Sequence, residues 1–101
     1  MLEITKQLHS FLVALHYNSE TVSHRMSHYL EHLFHLLDVH DEEDVLSYYG
    51  VLGYGQLALA DIAQRRGLSE AAMMQRIDDS LHRLAITPEW QMILSIIESK
   101  H

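Results

Sequence analysis

The chain has 101 residues, 48% hydrophobic and 21% charged, which suits one folded domain with a modest core and excludes a disordered polar chain. It holds no Cys, so disulfides, thiol nucleophiles and the common cysteine zinc sites are excluded. The formal net charge is −7 with His neutral, of which residues 1–50 carry −6, residues 51–86 nothing and the remainder −1. The acidic half repels a phosphate backbone, so any nucleic acid must meet the neutral half.

Four Gly and one Pro leave few places for turns, and Leu, Ala, Met, Glu and Gln outweigh the β-branched and aromatic residues. That composition predicts an all-α fold of about six helices. Ile4, Leu8, Phe11, Leu12 and Leu15 recur at helical spacing and predict a first helix over roughly 3–16. Asn18 or Ser19 is then placed to cap a second helix running to about Val39, with Val22, Met26, Leu30, Leu33, Phe34 and Leu37 as its apolar stripe. Residues 1–40 thus read as a helical hairpin.

"DVHDEED" is an acidic bend in which Asp41 is a candidate N-cap, followed by Glu42, Glu43 and Asp44 at the positive end of a third helix. That helix stops at Gly50, and "GVLGYG" follows as a loop. Tyr48, Tyr49 and Tyr54 cluster there and are expected to pack the hairpin onto what comes next. A fourth helix covers about 56–66 and ends at Gly67. Ser69 caps a fifth, running to about Ala85. "TPEW" restarts the chain with Thr87 as cap, Pro88 at the first helical position and Glu89 in the first turn. The domain therefore divides into a hairpin (1–40), a three-helix unit (42–86) and a terminal helix (87–101).

Within the three-helix unit, Ile62 and Ala63 supply an inner face, Gly67 a turn, Leu68 a plug, and Met73, Ile77, Leu81 and Leu84 the facing stripe. "VLSYYG", "LADIAQRRGLS" and "MMQRIDDSLHRL" together resemble the helix-turn-helix of bacterial sigma-factor promoter-recognition domains and of response regulators. The resemblance covers residues 45–84 and implies a transcription-type regulator binding duplex DNA as a homodimer. On that reading Gln75 and Arg76 face base edges, Arg65, Arg66 and Arg83 meet phosphates, and Ser69 belongs to the same DNA-binding set. Two positions depart from the pattern. Arg66 stands where an apolar residue packs under the turn, and the exposed start of the recognition helix carries Glu70, Ala71, Ala72 and Met74. These departures support the alternative of a helical protein–protein interaction module that keeps the fold without DNA. Asp61 with Arg65 and Asp79 with Arg83 have the order that favours i,i+4 pairing.

His24, His28, His32 and His35 fall on one face of the second helix, opposite its apolar stripe. Two such residues at i,i+4 could grip a metal, but no third ligand is designated, so solvated surface is the expectation. "WQMILSII" is apolar around most of its circumference, which predicts a dimer face at Trp90, Ile93, Leu94 and Ile97. "GVLGYG" lacks the Lys-Ser/Thr ending of a phosphate loop, "DEED" lacks the alternating ligands of a calcium loop, and no Ser–His–acid set converges. Neither enzyme chemistry nor a cofactor is expected. No apolar run approaches 18 residues, and the N-terminus lacks a secretory pattern, so the expected location is cytoplasmic.

Overall fold

Every element among the described residues is helical. The computed structural model describes residues 2–18 and 22–99, in which six helices follow one another: α1 (Glu3–Tyr17), α2 (His24–Phe34), α3 (Val39–Tyr49), α4 (Leu59–Arg66), α5 (Glu70–Ala85) and α6 (Pro88–Glu98). No strand occurs among the described residues, so the fold is all-α. None of these helices is long and apolar enough to cross a membrane.

The helix ends explain where the structure departs from the expected boundaries. Asn18 closes α1 rather than opening α2, its N–H reaching the Ala14 carbonyl at 2.9 Å. Ser19 lies outside the described residues. Ser23 is the N-cap of α2, its hydroxyl accepting from the Met26 N–H at 3.1 Å. α2 stops at Phe34, short of Val39, because the next carbonyls take tighter bonds. The Leu36 N–H bonds Leu33 and the Leu37 N–H bonds Phe34, both at 3.1 Å.

Asp38, not Asp41, then caps α3. Its extended backbone turns the chain, and its carboxylate accepts from the Asp41 N–H at 2.9 Å. That hydrogen bond holds the Asp38 carboxyl below its ordinary range. The cap sits three residues earlier than expected, so Asp41 belongs to the first turn and points inward. α3 ends on Gly50 in the left-handed region, at φ 64°.

α4 begins later than the expected residue 56. The Leu57 N–H is committed to the Ser47 carbonyl across the loop at 2.9 Å, and Ala58 is extended. Gly67 (φ 68°) closes α4, and the Leu68 N–H returns to Ala63 at 2.9 Å. Ser69 caps α5 through the Ala72 N–H at 3.1 Å. Thr87 caps α6 through the Trp90 N–H at 3.2 Å, and its hydroxyl donates to the Leu84 carbonyl at 2.6 Å.

α5 is the central helix, packed against α1, α3, α4 and α6. The two N-terminal helices attach chiefly to different elements, α1 to α5 and α3, and α2 to α6. One apolar cluster therefore draws on all six helices, from Leu8 and Leu12 through Leu30, Phe34, Val45 and Ile62 to Ile77, Leu81, Trp90 and Ile93. α3, α4 and α5 pack on one another, and this three-helix unit carries the candidate site.

Candidate nucleic-acid interface

The inner face of α3 is unusual in carrying acids. Asp41 and Asp44 are three residues apart and therefore neighbours on one face, with 5% and 1% of their surfaces exposed. Two charges in that position require cations close by, because desolvating an unpaired carboxylate costs several kcal/mol, roughly. α4 and α5 supply them.

At Asp44, the Arg66 Nε donates to both carboxylate oxygens, at 3.1 and 2.9 Å, and the Arg65 Nη2 donates to Oδ1 at 2.9 Å. Both guanidiniums also reach Glu43 Oε1, at 3.3 Å from Arg65 and 3.1 Å from Arg66. The hydrogen bond that Arg66 donates to Asp44 raises the Arg66 pKa above its ordinary value, so this cation is permanent. At Asp41, Arg76 donates to Oδ1 through Nε and Nη2 at 3.3 and 3.2 Å, and the Arg83 Nη2 reaches Oδ2 at 3.4 Å. Two carboxylate hubs on α3 thus tie α4 and α5 down.

Arg65, Arg66, Arg76 and Arg83, which the helix-turn-helix resemblance assigns to DNA, all sit in these hubs. The expected pairs Asp61–Arg65 and Asp79–Arg83 are not formed among the described residues. A buried carboxylate attracts a guanidinium more strongly than an exposed one on the same helix. Gln75, the other expected base reader, donates to Asp79 at 2.9 Å. Ser69 is occupied as the α5 cap. Ala71 and Ala72 are exposed and Met74 is partly buried against the core, so the first turn of α5 presents two methyl groups beside the exposed Glu70.

Arg66 in place of an apolar residue has its account in the same geometry. The space under the turn is filled by an Arg66–Asp44 pair in which each side chain needs the other. Asp41 and Asp44 were the residues that sequence reasoning missed. A signal existed, since an Arg at a position that packs under a turn calls for an acid on the facing helix.

The expected dimer face divides. Trp90 and Ile93 are fully buried (0% exposed) within the chain's own core, with Trp90 tilted against Phe11 at a centroid distance of 5.7 Å. They are not available to a second copy, because α6 lies over α2 and α5 rather than standing free. Leu94 and Ile97 stay partly exposed and line a groove with Phe11 between α1 and α6.

His24, His28 and His32 are exposed along α2 and His35 at its C-cap, where His35 Nδ1 lies 3.0 Å from Glu42 Oε1. No group of three or more His, Asp or Glu side chains among the described residues is arranged to hold a metal ion. Of the tyrosines, Tyr49 is buried and bonded to His9 at 2.6 Å, Tyr48 stacks edge-on against it, and Tyr54 is exposed. Tyr49 ties α1 to α3, which sequence reasoning expected of the cluster as a whole.

Comparison with known proteins finds no matching family model, curated protein or solved structure.

Proposed function

We propose that the chain is a non-catalytic, cytoplasmic regulatory module that keeps a helix-turn-helix-like α3–α4–α5 unit and acts by contacting protein. The observation that carries this reading is the occupation of the four arginines. Arg65, Arg66, Arg76 and Arg83 neutralise Asp41, Asp44 and Glu43 instead of standing free for phosphates. Drawing them onto DNA would break bonds to carboxylates that are already dehydrated, a cost that phosphate contacts must first overcome. The exposed Ala71 and Ala72 methyls at the start of α5 suit a protein surface better than base edges.

A second reading is duplex DNA binding as a homodimer, with Gln75 and Arg76 at bases, Arg65, Arg66 and Arg83 near phosphates, and Ser69 in the same face. Specific geometry favours it: Gly67 turns the chain tightly, Ser69 caps an exposed α5 start, and Arg76 and Arg83 keep 43% and 58% of their side chains exposed. Selection of bound duplexes from a randomised pool at low salt separates the two. An unenriched pool returned by folded protein supports protein contact. An enriched palindrome with half-sites about one helical turn apart establishes the second reading and overturns the first.

A further inference from the structure

Three histidines of α2 differ from most of the others in having no partner. His9 is bonded to Tyr49, His16 to the Gly50 carbonyl, His35 to Glu42 and His82 to Thr5. His24, His28 and His32 are exposed and form no hydrogen bond or ion pair with another described residue. All three belong to α2, four residues apart, on the side away from the buried Met26, Leu30, Leu33 and Phe34. Burial of that opposite face fixes the helix, while the imidazoles themselves are free to turn.

Residues four apart on a helix are surface neighbours, with Cβ atoms about 5–6 Å from each other. Two neutral imidazoles at that spacing can each direct a nitrogen lone pair to one ion, at the distance of about 2.0–2.1 Å that zinc takes. Once one nitrogen is bound, the second binds within the same molecule, which raises affinity well above that of a single imidazole. His24 with His28 and His28 with His32 are two such pairs, and they share His28. His24 and His32 are about 12 Å apart along the axis, farther than two imidazoles reach around one tetrahedral ion. The exposed Glu31, three residues from His28, adds negative charge to the same face.

We propose that α2 carries a surface chelate site for a borderline divalent transition metal such as Zn²⁺, held by His28 together with His24 or His32. Imidazole suits zinc, copper and nickel, whereas magnesium prefers oxygen ligands. No third protein ligand belongs to the site. Two tetrahedral positions therefore stay open to water or to a ligand from another molecule, and the ion exchanges readily, unlike a closed structural zinc. α2 packs chiefly on α6, so the site does not depend on whether the α3–α4–α5 unit meets protein or DNA.

The test is calorimetric titration of the full, untagged chain with Zn²⁺ at neutral pH, and in parallel with Mg²⁺. Zn²⁺ is expected to bind one ion per chain and to raise the melting temperature, because the pairs exist only in the folded helix. Mg²⁺ is expected to do neither. His28→Ala removes the ligand that both pairs share and should weaken zinc binding at least tenfold and cancel the rise in melting temperature. The double variant His24→Ala with His32→Ala leaves His28 without a neighbour and should lose as much. All three positions are exposed, so the metal-free variants should keep the circular dichroism spectrum of the unaltered chain. The absence of zinc binding at submillimolar metal overturns the proposal. So does equal binding of Mg²⁺, which marks diffuse attraction to an acidic chain, or zinc binding that either variant leaves intact.

Discussion

Arg66 and Asp44 form a fork across the α3–α4 junction, with the Arg66 Nε 3.1 and 2.9 Å from the two carboxylate oxygens and its Nη2 2.9 Å from Oδ1. Asp44 is almost wholly buried and has a second cation in Arg65, so the three side chains act as a unit. Arg65→Ala or Arg66→Ala alone should cost about 1–2 kcal/mol, because the other guanidinium remains. The double variant strands a buried carboxylate and should cost about 3–5 kcal/mol, more than the sum of the two. Asp44→Leu with Arg66→Leu removes both buried charges and should be near neutral. Urea midpoints of the four variants check this.

The Asp41 hub gives a prediction on DNA. Asp41→Asn weakens the hold on Arg76 and Arg83, the two most exposed of the four arginines. Non-specific duplex binding at low salt should strengthen relative to the unaltered chain. Two added phosphate contacts would steepen the slope of log affinity against log salt by about 2. Fluorescence anisotropy with a labelled duplex at several salt concentrations measures it.

Trp90 is a core residue, so its replacement should act on folding rather than on assembly. Trp90→Ala is expected to cost about 3–5 kcal/mol. The loss should appear in the unfolding transition of dilute protein, independent of concentration, whereas an interface residue would show concentration dependence.

Gly50 and Gly67 share a left-handed backbone, at φ 64° and 68°, and differ in their surroundings. A Cβ at Gly50 would lie 2.7 Å from the Gln56 Cβ and 2.9 Å from His16 Nδ1, while one at Gly67 meets nothing within 4 Å. Gly67→Ala should therefore cost only the backbone term, about 1–2 kcal/mol. Gly50→Ala should cost about 1–3 kcal/mol beyond that, from overpacking. Thermal melts of the pair separate backbone strain from crowding.

The cap of α3 makes acid stability depend on Asp38. Its folded pKa is lowered below the ordinary 3.8, first by the hydrogen bond from the Asp41 N–H. A depressed carboxyl contributes stability that is present above its unfolded pKa and lost as pH falls through the folded value. The contribution should thus persist at pH 5 and fade below pH 4, roughly. Asp38→Asn can still cap but cannot titrate, so its stability should fall less steeply over that window, as followed by circular dichroism against pH.

Helix content was legible in the sequence because it rests on local terms. Apolar spacing in Leu8, Leu12 and Leu15, the Ser69 and Thr87 caps, Pro88 at the start of α6 and the Gly50 and Gly67 stops each act within one or two turns. The cap of α3 was misplaced from Asp38 to Asp41, because it follows from where α2 ends, and α2 ends at Phe34 rather than near Val39. The inward turn of Asp41 and Asp44 was not legible, since a run of acids at a helix start usually faces water. Partners 21 to 42 residues away, Arg65, Arg66, Arg76 and Arg83, made burial of those carboxylates possible.

The sequence by itself thus determined an all-α chain, its turns and most of its helix ends, through hydrogen bonds and periodicity that operate over a few residues. Tertiary structure alone decided what the arginines do, that Trp90 and Ile93 serve the chain's own core, and that His9 and His16 bond to Tyr49 and to the Gly50 carbonyl across the helices. Charge pairing and burial both depend on what lies across the space between helices, and that distance is set only when the helices pack.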